Sequence, residues 1–445
     1  MPAAIALLDS RTPIEVPPLA EDAGGYTTTV GAIARRALAG VTAPLQDHHG
    51  PTAEDGAAAW TAWWYQVLQT EVAPPIRLAP GRTVCLTALE TARYWPELQL
   101  SPDGRTALIV ATRLEKRQDG IRSGILWMPL DRPEKARFVY KVPVGVVNCE
   151  PEGLGAMWGT EAIGLVWHEY SFDPKLHRVR FLSLDCRGAP RGEAVDVPVL
   201  QARRSQLALA PSGAGWLLAW NDDRFGPSVQ RLDATGHPLG KPVVLLPHRS
   251  LDNRWSGGSR RVSLAQTPTG FVLLHGKERG LFLRLLSDAL EVTHTVRVDD
   301  PSVLGRSHDA YVCVGADTLC VAWHEYDNVG TRFLARVFGL DGTPRTGWIE
   351  VSDHINAIAP PAAGVGGFVL AWAGHELAPY QVSAAWLTAA GKVGPRVDLS
   401  SDRTTNWPLA AGLAPAWLRV IECNRDRWPM RILLRQVRRS VLEGN

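Results

Sequence analysis

Ile163-Gly-Leu-Val-Trp-His-Glu-Tyr170 and Leu319-Cys-Val-Ala-Trp-His-Glu-Tyr326 follow one plan, an apolar run that ends in Trp and polar residues. Trp216-Leu-Leu-Ala-Trp-Asn-Asp-Asp223 and Phe368-Val-Leu-Ala-Trp-Ala-Gly-His375 repeat its outline. A second element follows each copy in step: Asp185-Cys-Arg-Gly188-Ala-Pro190, Asp233-Ala-Thr-Gly236-His-Pro238, Asp341-Gly342-Thr-Pro344 and Ala389-Ala-Gly391-Lys392. The glycines of these turns stand 48, 106 and 49 residues apart, and the long middle gap holds one further unit around Phe271 to Val296. A repeat of about fifty residues points to a solenoid, a propeller or an array before any other architecture.

The content of each unit narrows that choice. Arg261-Val-Ser-Leu-Ala265, Phe271-Val-Leu-Leu-His275, Leu281-Phe-Leu-Arg-Leu-Leu286 and Glu291-Val-Thr-His-Thr-Val-Arg297 are four short strands separated by Pro268-Thr-Gly270, Glu278-Arg-Gly280 and Ser287-Asp288. Four antiparallel strands per unit make a propeller blade, whose faces are buried by its neighbours once the ring closes. The expectation is an all-β, seven-bladed β-propeller over residues 73–445, with six blades as the alternative. Inner strands are placed near Glu97, Glu152, Gln206, Val262, Tyr311, Ala357 and Pro408. The last unit shows three strands only, so Arg82-Thr-Val-Cys-Leu-Thr-Ala88 is expected to supply its fourth by pairing with residues 431–437.

Residues 1–72 break the pattern and read as a helical appendage. Thr28 to Leu38 and Ala57 to Gln69 have helical composition, and Trp60, Trp63 and Trp64 fall on one helical face. This stretch resembles the end of a HEAT-like helical repeat. The repeats of residues 94–400 resemble those of bacterial propellers of the Trp-x-Asp/Glu … Asp-x-x-Gly-x-Pro type, a resemblance that implies architecture and leaves activity open.

Composition bounds the rest. The 445 residues carry 45% hydrophobic and 21% charged side chains, 41 Gly, 33 Pro and 17 Trp, as expected of a turn-rich soluble protein. A formal net charge of +2 supplies no field that would draw nucleic acid or an anionic membrane, and neither partner is expected. The N-terminus lacks the basic start and apolar stretch of a secretory signal, so a cytoplasmic location is expected. Six cysteines without C-x-x-C spacing give no zinc or redox motif, and Cys313 and Cys320 read as small buried thiols.

The doubled His-Glu invites comparison with metal ligands or an acid/base pair. Recurrence at equivalent blade positions argues instead for architecture, with Trp packing between blades. In up-and-down blades the loop after the second strand shares a face with the loop joining blades. That face would gather His168, Glu169, Asp222, Asp223, His324 and Glu325, together with Arg254 and Trp255 of the long linker. These eight are the candidate ligand- or partner-binding residues. The arginines at positions 425 to 439 read as a charged, blunted strand edge. No P-loop, nucleophile elbow, dinucleotide fingerprint or His-Glu-x-x-His is present, and no cofactor or metal is expected. The leading reading is a non-enzymatic binding or scaffolding propeller that takes a protein partner. A hydrolase with carboxylates drawn from separate blades, or a carbohydrate-binding lectin using Trp and Arg, are the alternatives.

Overall fold

The computed structural model describes residues 13–16, 26–29, 76–77 and 84–85. From residue 98 to 442 it describes all but 102–104, 115–120, 131, 133–134, 143–149, 171–176, 200–206, 223–225, 246–261, 278–279, 301–305, 327–329, 354, 375–380, 401–405, 415–416 and 425–430. The chain divides into two compact units, Met1–Pro75 and Ile76–Asn445.

The second unit is a β-propeller. Blade 1 runs through Leu98–Leu100, Thr106–Leu114, Ile121–Pro129 and Arg137–Lys141, and blade 2 through Glu150–Trp158, Ala162–Tyr170, His177–Asp185 and Val195–Val197. Blade 3 comprises Leu207–Ser212, Gly215–Asp222, Gly226–Leu232 and Val243–Val244, and blade 4 Val262–Thr267, Gly270–Lys277, Gly280–Leu286 and Val292–Arg297. Blade 5 comprises Arg306–Val314, Thr318–Tyr326, Thr331–Gly339 and Ile349–Asp353. In blade 6 the first strand is split into Ile355–Ile358 and Ala362–Gly364, followed by Gly367–Gly374, Gln381–Thr388 and Val397–Asp398. Blade 7 holds Asn406–Ala414, Trp417–Asn424 and Arg431–Arg438. Strands within a blade pair antiparallel in chain order, as short hairpins require. Seven such sheets stand among the described residues, and their first strands touch in cyclic order, that of blade 7 lying against that of blade 1.

The expected clasp is present. Val84–Cys85 pairs antiparallel with the third strand of blade 7, Val84 opposite Leu434 and Cys85 opposite Leu433, so an early segment completes the last blade. Closure by the two ends of the unit makes the ring depend on its most distant residues. The arginine-bearing strand Arg431–Arg438 is therefore not the edge it was expected to be, since it has a neighbour on both sides. One addition was not foreseen: Ile76–Arg77 lies parallel to Val397–Asp398 and extends blade 6 outward.

Five of the seven inner strands begin within two residues of the expected positions and Val262 begins on it, whereas blade 5 starts at Arg306 rather than near Tyr311. A register shift between Ser307 and Ala310 explains that miss, because the bulge breaks the period-2 pattern that marks a strand. In the first unit, Pro13–Val16 pairs antiparallel with Tyr26–Thr29. Thr28 and Thr29 are thus in a strand and not in the helix expected to start there. The rest of the two helical expectations, 30–38 and 57–69, lies outside the described residues. No helix among the described residues is long and apolar enough to cross a membrane.

The core consists of layers between successive blades. Phe181 and Val179 of blade 2 meet Leu209, Trp216 and Trp220 of blade 3, and Phe333 of blade 5 meets Trp372 of blade 6 with ring centroids 5.7 Å apart. Trp167, Trp220, Trp323 and Trp372 are all buried. Packing between blades is what the repeated Trp does, and a sugar-stacking platform built from these four indoles is ruled out. Blade 4 has His275 where its neighbours have Trp; the ring is fully buried, stacks on Phe282 at 5.9 Å and accepts a hydrogen bond at Nε2 from Arg284 Nε at 2.8 Å.

The Gly turns show why that motif recurs. Asp233 Oδ1 accepts the N–H groups of Thr235 (2.8 Å) and His237 (2.9 Å), while Asp233 N donates to His237 O at 2.9 Å. Gly236 sits at φ +96°, in the left-handed region. Asp185 and Gly188 of blade 2 build the same turn. In blade 4, Leu290 occupies the Gly position at φ 65°.

Burial also fixes thiol chemistry. Cys313 and Cys320 stand opposite each other on the first two strands of blade 5, and burial pushes Cys313 up to about 12 and Cys320 well above its ordinary value. Cys186 is exposed. Because the thiolate is the reactive form, iodoacetamide at pH 8 should alkylate Cys186 in the native protein and leave Cys313 and Cys320 unmodified until denaturant is added. Peptide mass mapping reads this directly, and native labelling of Cys313 at the rate of Cys186 would refute it.

Candidate functional site

The His-Glu pairs are not on a rim. Their strands run on past Trp to Tyr170 and Tyr326, with Glu169 opposite Arg178 and Glu325 opposite Arg332 in the following strand. His168, Glu169, His324 and Glu325 are all buried, so the solvated rim position expected for them is not the one they occupy. The physical reason is register: hairpin pairing continues beyond Trp and carries these side chains into the sheet.

Glu169 is the centre of a network between blades 1 and 2. Tyr140 donates its hydroxyl to Oε1 at 2.5 Å, Arg178 Nε donates to Oε2 at 2.6 Å, and Arg180 Nη1 reaches Oε2 at 3.2 Å. Asp196 lies 3.0 Å from Arg180 Nε and 3.6 Å from Arg178 Nη1, extending the alternation of charge outward. Burial alone would raise the Glu169 carboxyl, but the hydrogen bonds from Tyr140 and Arg178, with the charges of Arg178 and Arg180, outweigh it and hold the group below the usual carboxylate range. Burial first, and then the bond to Glu169, raise the Tyr140 phenol, which stays protonated as a donor. A carboxylate so held has no tendency to take up a proton near neutrality. It serves as an ion-pair anchor rather than as a general acid.

Glu325 repeats the theme with fewer partners. Arg332 Nη2 donates to Oε1 at 2.7 Å, and the indole N–H of Trp323 reaches Oε2 at 3.5 Å. Sequence reasoning missed Tyr140, Arg178, Arg180 and Arg332. Counting the hairpin registers would have found three of them, since each arginine follows its glutamate on the next strand; Tyr140 comes from another blade and leaves no local signal.

Of the other candidates, Asp222 ends the second strand of blade 3, while Asp223, Arg254 and Trp255 lie outside the described residues. So do the segments 171–176, 246–261, 327–329 and 375–380 that were expected to form the loop-rich face. Among the described residues no group of three or more His, Cys, Asp or Glu could hold a metal ion.

The described residues offer a site on the opposite, turn-bearing side. A hollow of about 370 Å³ opens between blade 4 and the turn of blade 5, with Phe271, Leu285 and Leu340 as apolar wall and Thr269, Thr293 and His294 as hydrogen-bonding groups. Asp341 also lines it, but its Oδ1 already accepts Thr343 N at 3.0 Å and Thr343 Oγ1 at 2.6 Å. The wall can take an apolar or hydroxyl-bearing side chain. Next along the ring, Trp348 is pinned yet open. Its Nε1 donates to Val298 O at 2.8 Å and Arg336 sits 5.7 Å from its ring, while 46% of the residue is exposed. Arg336 is itself fixed by bonds to Thr346 O (3.1 Å) and Val298 O (3.3 Å).

No family model matches the chain, and no curated protein matches it. Solved structures similar to it include the Dos1 propeller, at 12% identity over 80% of this chain and 95% of that one with a TM-score of 0.41. An N10 neuraminidase-like protein of A/little yellow-shouldered bat/Guatemala/060/2010 is 8% identical over 66% of this chain and 95% of that one, with a TM-score of 0.41. The Aleuria aurantia lectin is 11% identical over 70% and 98%, with a TM-score of 0.38. The propeller assignment stands on strand order and ring closure.

Proposed function

We propose that this chain is a non-enzymatic binding or scaffolding propeller that engages a protein partner, with its contact centred on the turn side of blades 3 to 5. The observation that carries this reading is Trp348, an indole held in one orientation by a hydrogen bond and a guanidinium yet left with an open face. An aromatic whose rotamer is already fixed loses little entropy when a partner covers it, which is the usual character of an interface anchor. Leu239, in the equivalent connection of blade 3, is 55% exposed and adds apolar surface on the same side. The hollow beside blade 4 would receive a partner side chain. Kinship with bacterial propellers that carry the same Trp and Gly-turn repeat belongs to this reading.

The test is affinity capture from the native source with quantitative mass spectrometry, comparing wild type with Trp348→Ala and with Thr269→Trp, which fills the hollow. A specific partner should fall by about 30-fold or more with Trp348→Ala, equivalent to roughly 2 kcal/mol. It should be unaffected by Val365→Ser, at an exposed turn of blade 6. Recovery of the chain alone, or a partner retained equally by all three variants, would overturn the proposal.

A further inference from the structure

The outer strands of a propeller are its exposed sheet edges, and most of those here are blunted. Blade 1 ends in Arg137–Lys141 with a cation at each end, blade 2 in the three residues Val195–Val197 with Asp196 at the centre, and blade 5 in Ile349–Asp353 with Glu350 and Asp353. Blade 3 has two residues there, and the edge of blade 6 is covered by Ile76–Arg77. Shortness, charge and cover are the ordinary defences against edge pairing. Blade 4 is neither short nor covered by a further strand among the described residues, and its two end charges, Glu291 and Arg297, are of opposite sign. Its outer strand Val292–Arg297 has six residues, bears no Asp, Glu, Lys or Arg from Val292 to Val296, is exposed along most of its length, and has no strand on its outer side among the described residues.

Its sequence is also self-complementary. Glu291-Val-Thr-His-Thr-Val-Arg297 reads alike from either end in chemical character, with His294 at the centre. Set antiparallel against a second copy across a two-fold axis at His294, Val292 faces the partner's Val296 and Thr293 faces the partner's Thr295. Each Glu291 faces the partner's Arg297. Valine pairs, threonine pairs and opposite charges are the cross-strand combinations that stabilise antiparallel ladders. The backbone supplies the hydrogen bonds, and the residue pattern supplies the register.

We infer that two copies of this chain associate through the outer edges of their blade 4 strands, as an isologous antiparallel pair. A two-fold contact requires a self-complementary patch, and this strand is one. The inference does not rest on the partner reading above, although Thr293 and His294 also line the hollow invoked there. The contact is short, and a register shift between Leu285 and Leu286 bends the strand near Thr293, so the dimer is weak, with dissociation in the range of about 10–100 μM.

Sedimentation velocity of the full chain from about 5 to about 500 μM tests this, with thermal unfolding to verify that each variant is folded. Wild type should pass from monomer to dimer across that range. Glu291→Arg should weaken dimerisation about tenfold or more by setting like charges opposite one another, as should Arg297→Glu. An equimolar mixture of the two should dimerise again, because each then meets its opposite charge. Arg297 Nε also holds Asp299 at 2.9 Å. Should Arg297→Glu fail to fold, Thr295→Lys takes its place as a second edge variant that must weaken the dimer. A wild-type chain that stays monomeric throughout, a dimer indifferent to Glu291→Arg, or folded charge variants whose mixture does not dimerise would each overturn the inference.

Discussion

Gly236→Ala should destabilise the propeller by about 3 kcal/mol and lower the apparent midpoint of thermal unfolding by roughly 4 °C. Two effects add. At φ +96° an L-residue pays for the left-handed backbone, about 1–2 kcal/mol. A Cβ at this position would also collide with the ring of Phe181, which belongs to blade 2 and is fully buried between blades. That ring has no room to withdraw, so backbone or core must shift, at about 1–3 kcal/mol for an overpacked site. Gly213→Ala separates the terms. Gly213 is also left-handed, at φ +57°, but has no atom within 4 Å of the added carbon, so it should lose only about 1 kcal/mol. Equal losses in denaturant titrations of the two variants would show that the approach between blades contributes nothing.

The same comparison shows what made the fold legible. The Trp and Gly positions recur because each touches the neighbouring blade, and a contact needed at every interface leaves a repeat in the sequence. Gly188 approaches Trp127 as Gly236 approaches Phe181, and Gly391 approaches Thr346. Blade 4 departs at both positions, with His275 for Trp and Leu290 for Gly. It was still recognisable because its strands and turns keep their spacing, and Leu290 offsets a strained backbone by joining the buried layer between blades 3 and 4.

The proposed contact was less legible because its signal does not recur. Trp348 owes its orientation to Val298 and Arg336, one of them 50 residues away, and no spacing rule links the three. The His-Glu repeat was conspicuous for the opposite reason. It recurs because it is structural, and the partners that neutralise it, Arg178 and Arg332, follow after turns of different length. The self-complementary strand of blade 4 reads in the sequence like any other strand of a blade, and its meaning depends on being the last strand of its sheet among the described residues, which only the sheet order reveals.

The buried carboxylates give the second large effect. Glu169→Ala should cost about 2–4 kcal/mol, because it leaves the Tyr140 hydroxyl without its acceptor and the largely buried Arg180 with only Asp196 and Ala194 O; full burial of every partner would justify more, but Arg178 is 31% exposed and water can replace part of its loss. Glu325→Ala should cost about half as much, since its single arginine, Arg332, is 33% exposed. The pH dependence distinguishes lost charge from lost shape. The folded Glu169 carboxyl is held below its unfolded value, so its stabilisation is complete above the unfolded pKa of about 4.3 and is lost as pH falls through the lower folded value. Glu169→Gln keeps an acceptor of the same size for Tyr140 but no charge. The stability gap between wild type and Glu169→Gln should therefore be constant from pH 8 to about 5.5 and should narrow below about pH 4. Denaturant titrations at each pH measure it, and a gap that persists unchanged into acid would mean that the network is held by packing and not by the charge of Glu169.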